Sequence, residues 1–316
     1  MKIAFIGKGG SGKTSIASSF IRWSMNKNKF TIAFDVDINK HLGDALDIDV
    51  SGSELIPRVK EIFDFLEPDR PELIENIGER PIIGCLPVAS SSKLISCSNN
   101  DPVIKKFSIF KDNLAIFTAG TYSEADIGKA CYHGKLFGSQ LIAHRIKDNL
   151  EDTIVFDTTA GTDPVATSLI IAYDMHIVVV EPTLKSTQVF KDYLIATEGV
   201  RRGPIFVLVN KIRNEKDRKF ILENIPEDQI IGEIPFSRSL KLFEQGERKE
   251  ILHFVHECDE VFSKIDKKLR SIGSPNRNEY EVLLQKWFKA YSAKWFDNLY
   301  NKNLGDITAN YSSFPA

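Results

Sequence analysis

Short apolar runs alternate with amphipathic stretches along the first two thirds of the chain. The runs Lys2 to Ile6, Thr31 to Asp35, Leu114 to Thr118, Thr153 to Asp157, His176 to Val180 and Ile205 to Asn210 predict strands. Continuous β-branched stretches such as Ile177-Val178-Val179-Val180 suit strands covered on both faces. Between the runs, apolar positions at helical spacing predict helices from Lys13 to about Met25, from about Lys135 to Asn149, from Pro164 to Ala172 and from Ser186 to Thr197. Repeated βα winding of this kind makes an α/β fold, a mostly parallel β-sheet flanked by helices, in which a nucleotide sits at the C-terminal edge of the strands.

Two regions break the rhythm. Residues 50–112 carry turn-rich stretches (Ser51-Gly52-Ser53, Ser90-Ser91-Ser92, Ser98-Asn99-Asn100-Asp101-Pro102) around short helical segments, and read as an insertion or lid. After Ile234-Pro235-Phe236 the pattern turns helical, from Lys249 to Ser271 and, past Gly273-Ser274-Pro275, from about Asn278 to Asn301. The expected division is one domain over residues 1–247 and a C-terminal helical extension over 248–316. In the last helix Leu283, Leu284, Trp287, Phe288, Tyr291, Trp295, Phe296, Leu299 and Tyr300 form one broad apolar face, with Lys286, Lys289 and Lys294 elsewhere around it. That face needs a cover: the protein's own domain, a protein partner or a membrane. Glu279, Glu281 and Asp297 dilute the positive charge a membrane surface selects, which makes the membrane the least favoured of the three.

Composition narrows the class. At 316 residues and 42% hydrophobic content the chain can bury a large core, and a net charge of −2 gives no global reason to expect nucleic acid. No stretch of about 18 apolar residues is present, and the first residues pass directly into a strand, so a cytoplasmic protein is expected. Cys85, Cys97, Cys131 and Cys258 are scattered and form no C-x-x-C pair, which fits reduced thiols.

The chemistry gathers after the first strand. Gly7-Lys8-Gly9-Gly10-Ser11-Gly12-Lys13-Thr14 closes a strand and opens a helix, so the amides of Gly9, Gly10, Ser11 and Gly12 and the helix N-terminus converge on one anion-sized space. Lys13 can reach the β- and γ-phosphates of a nucleotide, and the Thr14 hydroxyl can bind Mg²⁺. Gly7, Gly9 and Gly12 also satisfy G-x-G-x-x-G, with Asp35 further on, but a nicotinamide site has no use for Lys13-Thr14, which suit a triphosphate with Mg²⁺. The second strand ends in Asp35-Val36-Asp37, whose carboxylates fall on one side of the chain.

Lys8 is a second lysine that an ordinary phosphate loop does not need. With it the loop resembles the deviant phosphate loop of the nitrogenase iron protein, the Min-system and partition ATPases and the metal-insertion ATPases. The resemblance implies that two subunits dimerise around ATP and that Lys8 reaches the phosphates of the partner's nucleotide. It makes Asp35 to Leu42 switch I, with Asp37 matching the aspartate that positions the attacking water. Asp157-Thr158-Thr159-Ala160-Gly161 becomes switch II, in which Asp157 would hold a water on Mg²⁺ and Gly161 would present its amide to the γ-phosphate. Asn210 matches an asparagine that bonds the adenine edge, and Pro235 a proline beside the base; both are also ordinary turn residues.

The narrower resemblance, over residues 1 to about 245, is to the nickel-insertion ATPase of carbon monoxide dehydrogenase maturation. It rests on Gly7 to Thr14, Asp35 to Leu42, Leu114 to Gly120, Asp157 to Gly161 and Val178-Val179-Val180-Glu181-Pro182. That family carries Cys-x-Cys where this chain reads Cys131-Tyr132-His133. Cys131 and His133 from each of two chains would give a four-ligand set suited to Zn²⁺, Ni²⁺ or another borderline metal at the dimer interface; the alternative is packing plus a surface imidazole. The nitrogenase iron protein needs two cysteines per subunit for its cluster, and Cys131 can match only one of them.

The function expected is therefore a slow Mg²⁺-ATP hydrolase, a dimerising switch that hydrolyses ATP to drive its own conformational cycle and acts on an unidentified client protein in the manner of metal insertion or maturation. A positioning or regulatory ATPase acting through the C-terminal helix is the alternative. A small-molecule kinase shares the loop but gives Lys8 no task.

Overall fold

Successive side chains of the first strand leave opposite faces of one sheet, Ile3 and Phe5 into one apolar cluster and Ala4 and Ile6 into another. The structure, a computed structural model, describes residues 1–27, 29–67, 86–88, 92–122, 124, 132–273 and 276–293. Its main sheet has eight strands in the order β10-β9-β8-β1-β7-β2-β5-β4. These are β1 (Lys2–Gly7), β2 (Thr31–Val36), β4 (Ile109–Lys111), β5 (Leu114–Thr118), β7 (Thr153–Thr158), β8 (Met175–Val180), β9 (Ile205–Ile212) and β10 (Ile230–Pro235); β3 (Ile95–Ser96) and β6 (Ile146–Lys147) pair separately. All main-sheet pairs are parallel except that of β4 with β5. Strands β1, β2, β7 and β8 are buried along their whole length, as continuous apolar runs between two helical layers require.

One layer holds α1 (Lys13–Met25) and α2 (His41–Ala45). The other holds α3 (Val59–Leu66), α4 (Pro102–Phe107), the short α5 (Tyr132–Lys135), α6 (Phe137–Arg145), α7 (Leu169–Ala172), α8 (Leu184–Ala196) and α9 (Glu215–Asn224). Three later helices, α10 (Arg238–Glu244), α11 (Glu250–Glu257) and α12 (Asp259–Ser271), return to the first layer, where Phe243, Phe254, Phe262, Ile265 and Leu269 join Phe20 and Trp23 of α1. The helix α13 (Arg277–Trp287) lies over α7, with Tyr280 and Leu284 packed on Ile170 and Ile171. Phe288, just beyond it, enters the main core. The protein's own domain thus covers the face from Leu283 to Phe288, Tyr291 is exposed, and Trp295, Phe296, Leu299 and Tyr300 lie outside the described residues. Among the described residues no helix is long and apolar enough to cross a membrane.

Several expected elements differ in length. The helix expected from Lys135 to Asn149 stops at Arg145, because Ile146 turns extended and pairs with Ile95, and Lys2 and the N-terminal amine fasten Asp148 just beyond. The helix expected from Pro164 to Ala172 is a 3-10 turn (Asp163–Ala166) followed by α7, because Thr167 between them is extended. The span Lys249 to Ser271 is two helices that meet at Cys258. Strand β10 has no counterpart in the sequence pattern, since Gly232 and Pro235 obscure it, as such residues do in edge strands.

Candidate functional site

Five adjacent strands, β9, β8, β1, β7 and β2, end at the same edge of the sheet. Asn210, Glu181, Gly7, Asp157 and Asp35 stand at or just past their C-terminal ends, in that order. Parallel register fixes the neighbours, with Asp157 beside both Phe5 and Asp35.

The loop between β1 and α1 turns back on itself, the Ser11 amide bonding the Lys8 carbonyl at 3.0 Å. Gly12, at φ 93°, starts the helix; a Cβ there would lie 2.4 Å from the Asn210 Nδ2. Only glycine fits so close an approach with a left-handed backbone. No acidic residue lies in the first turn of α1, and among the described residues no side chain caps it, so its free amides present the positive end of the helix to the loop.

Lys13 is buried, with Nζ 2.7 Å from Asp157 Oδ1 and 3.4 Å from Asp37 Oδ2. Burial alone would lower its pKa, but Asp157, then Asp37 and Asp35, raise it above the ordinary lysine value and keep it charged. Asp157 is pushed up by burial against the pull of Lys13 and of a Thr14 hydrogen bond. Its Oδ2 is buried and has no hydrogen-bond partner among the described residues.

Asp35 turns back to its own loop and accepts the amides of Leu42 at 3.1 Å and Asp37 at 3.3 Å. Burial and the neighbouring Asp157 push its carboxyl up to about 8. It braces the loop after β2 from beneath, whereas Asp37 divides its oxygens: Oδ1 accepts the Asn39 amide at 3.0 Å and Oδ2 faces Lys13. The Gly161 amide donates to the Gly7 carbonyl at 2.9 Å, which ties the loop after β7 to the start of the phosphate loop.

Lys8 points elsewhere. Its Nζ is 3.0 Å from Glu181 Oε1 and 3.2 Å from the Gly9 carbonyl. Lys211 comes from the other side to Glu181 Oε2, at 3.3 Å, and to the Gly10 carbonyl. Neither Glu181 nor Lys211 stands out in the sequence as a site residue. The available signal is position, since Glu181 follows a buried parallel strand as Asp37 and Asp157 close theirs.

Asn210 is buried, with Nδ2 donating to the Ser11 carbonyl at 2.8 Å and Oδ1 accepting the Lys211 amide at 2.9 Å, so it braces the phosphate loop. Pro235 ends β10 beside Ile212, and the Arg213 guanidinium lies 4.0 Å from the ring centre of Phe236, a flat surface at that edge. His133 Nε2 is 3.0 Å from Asp163 Oδ1, two residues past Gly161 in the loop after β7. Cys131 lies outside the described residues. Among the described residues no group of three or more His, Cys, Asp or Glu side chains is placed to hold a metal ion.

Residues 3–250 match the CobQ/CobB/MinD/ParA nucleotide-binding domain. The chain belongs to that family. It is 29% identical over 245 residues to an uncharacterised ATP-binding protein of Methanocaldococcus jannaschii, covering 76% of this chain and 87% of the relative. It is 25% identical over 251 residues to the carbon monoxide dehydrogenase accessory protein CooC of Rhodospirillum rubrum, covering 78% and 88%. A plasmid partition protein of Borrelia burgdorferi shares the fold, with a TM-score of 0.52, 14% identity and coverage of 84% and 98%. The matched segment of this MinD/ParA-type P-loop protein contains all five strand ends of the site and stops at the start of α11.

Proposed function

We propose that this protein is a Mg²⁺-dependent ATPase switch, in which two copies close around two ATP molecules and hydrolysis resets the pair. The observation that carries the reading is the division of labour between the lysines of one loop. Lys13 points into the buried carboxylates of the switches, and Lys8 points outward to Glu181 at a partly exposed mouth. A cation facing outward from a phosphate loop supports action on the nucleotide of a second copy.

The loop amides and the N-terminus of α1 bind the phosphate chain, and Lys13 leaves its carboxylates to neutralise the β- and γ-oxygens. Thr14 and the unpaired oxygen of Asp157 suit Mg²⁺, the first directly and the second through water. When bound, the ion would neutralise and orient the phosphate oxygens. Asp37, already anchored by Asn39, accepts a hydrogen bond from the attacking water and aims it at the γ-phosphorus, giving ADP and phosphate. Gly161 can offer its amide to the γ-phosphate once its bond to Gly7 breaks, so binding of the triphosphate pulls switch II away from the loop. Asn210 holds the loop in shape, and Pro235 stands at the edge where the base would lie.

The likeness to the carbon monoxide dehydrogenase accessory protein favours a client enzyme under assembly over a positioning role. No step is assigned to a transition metal, because His133 is engaged by Asp163 and the described residues supply no ligand cluster. Metal content of the purified dimer, in the wild type and in Cys131→Ser, separates the two: stoichiometric metal lost on substitution supports delivery, and a metal-free active dimer supports positioning.

Lys8→Ala tests the central claim. Turnover is expected to fall by about 100-fold or more, as for loss of a charge-stabilising group, with ATP affinity changed only a few-fold. Full hydrolysis by this variant, or by a protein that stays monomeric with ATP and Mg²⁺, overturns it.

A further inference from the structure

Glu181 stands between two lysines that reach it from opposite sides, and each lysine also holds a carbonyl of the phosphate loop, Lys8 that of Gly9 and Lys211 that of Gly10. The five groups form an arc across the front of the loop. The backbone at this position is held from behind, since the Glu181 main-chain amide donates to the Ser186 hydroxyl at 3.1 Å in the first turn of α8. Lys211 has φ 63°, a left-handed backbone that a lysine adopts only under constraint, so its direction is imposed by the surrounding structure. Partial burial pushes the Glu181 carboxyl up, but Lys8 and Lys211 outweigh it and hold it below its ordinary value.

We propose that Glu181 is a positioning residue that latches Lys8 to its own chain and releases it only to a partner's triphosphate. The inference rests on the reading of Lys8 as acting across the dimer. A single carboxylate competes for the Lys8 ammonium with whatever phosphates a second copy presents. A triphosphate, with its additional charges, wins that competition more readily than a diphosphate. When Lys8 leaves, Lys211 stays on the other oxygen, so the half-buried carboxylate is not left uncompensated. The latch makes closure of the pair depend on the γ-phosphate.

Glu181→Gln keeps the size of the side chain and removes its charge. In nucleotide-free protein, the rate at which an amine-reactive reagent labels Lys8, read by mass spectrometry, is expected to rise several-fold. Glu181→Asp, charged but one methylene short, is expected to fall between wild type and Gln. Unchanged labelling of Lys8 in both variants overturns the latch, whatever Lys8 does in the dimer. Sedimentation in ADP and in a non-hydrolysable ATP analogue gives the second readout. Glu181→Gln is expected to tighten the ADP-bound dimer by about tenfold, equivalent to about 1.4 kcal/mol, and to narrow the difference between the two nucleotides. The gain is expected to vanish when Lys8→Ala is added. A gain that persists in that double variant assigns the effect to Lys211 and overturns the proposal. Wild-type dimerisation and turnover by Lys8→Ala alone would refute the parent reading instead, and the labelling result would still report on the latch.

Discussion

Gly12 and Asn210 depend on each other. The asparagine closes the phosphate loop through the Ser11 carbonyl and lies where a Cβ on residue 12 would be, 2.4 Å from its Nδ2. Gly12→Ala therefore forces both a left-handed alanine, costing about 1–2 kcal/mol, and displacement of Asn210. ATP binding measured by calorimetry is expected to weaken at least about tenfold, which is about 1.4 kcal/mol. Asn210→Ala leaves the loop backbone free but the Ser11 carbonyl unpaired, so unfolding by urea is expected to show a loss of about 1–3 kcal/mol. An Asn210→Ala protein with wild-type stability and affinity would show that the brace is not needed. The glycines, Lys13 and Thr14 were legible because their roles follow from short spacing along the chain. Asp35, Glu181 and Lys211 were not, because their roles depend on what a neighbouring strand brings alongside, and no local pattern records strand order. Asp35 and Asp37 look alike in sequence, yet two backbone amides turn one into a brace, while an oxygen of the other faces Lys13.

At the scale of elements, the way α13 is docked is the part that periodicity described least. Its apolar stripe was visible, but its polar anchor was not. Tyr280 donates to His144 Nδ1, His144 Nε2 meets Ser168 Oγ at 2.7 Å, and Ser168 donates to Gln140 at 2.6 Å, a relay that needs a neutral imidazole. Burial first, and then Arg145, keep His144 well below its ordinary value, in agreement with that requirement. Glu281, one residue on, is buried and paired with Arg277; burial pushes its carboxyl up to about 7 against the pull of Arg277 and Arg145. Because the folded value lies above the unfolded one, the stability this group contributes is complete below the unfolded value and is lost as pH rises through 7. Amide exchange over residues 277–287, corrected for its intrinsic pH dependence, is expected to show protection falling between pH 6 and 8, by on the order of 1–2 kcal/mol. Glu281→Gln is expected to flatten that dependence. A wild-type helix equally protected at both pH values would show that Glu281 does not control the docking. Helix ends were harder to read than helix existence. At Ile146 and Thr167 the helix gives way to extended backbone, at the first because a distant strand claims the segment and at the second with no competing propensity in the local sequence.

For the whole molecule, the question is where the nucleotide-binding unit ends. The expected boundary at 247/248 falls just before α11 and the family match ends at its first residue, Glu250, yet the core does not stop there. Ile251, Phe254, Phe262, Ile265 and Leu269 are buried in the cluster that holds α1 and the inner faces of β1 and β8. The Phe262 ring lies 5.5 Å from that of Phe20, Trp23 Nε1 donates to Asp259 at 2.7 Å, and Arg270 reaches the Thr153 hydroxyl at 2.7 Å at the start of β7. Fully burying five such side chains contributes about 7–15 kcal/mol, comparable with the whole stability of an ordinary domain, about 5–15 kcal/mol. A chain ending at 247 is therefore expected to be insoluble or to lack a cooperative melting transition. A chain ending at 273 keeps this core and loses only α13 and the residues beyond it. It is expected to fold and to bind ATP, with α7 less protected from amide exchange because Ile170 and Ile171 lose their cover. A folded, ATP-binding 1–247 fragment would move the boundary back to the start of α11 and make both helices of the 250–271 segment dispensable. If instead the 1–273 fragment fails to fold, α13 belongs to the same cooperative unit, and the layer it closes over α7 is needed for the sheet to form at all.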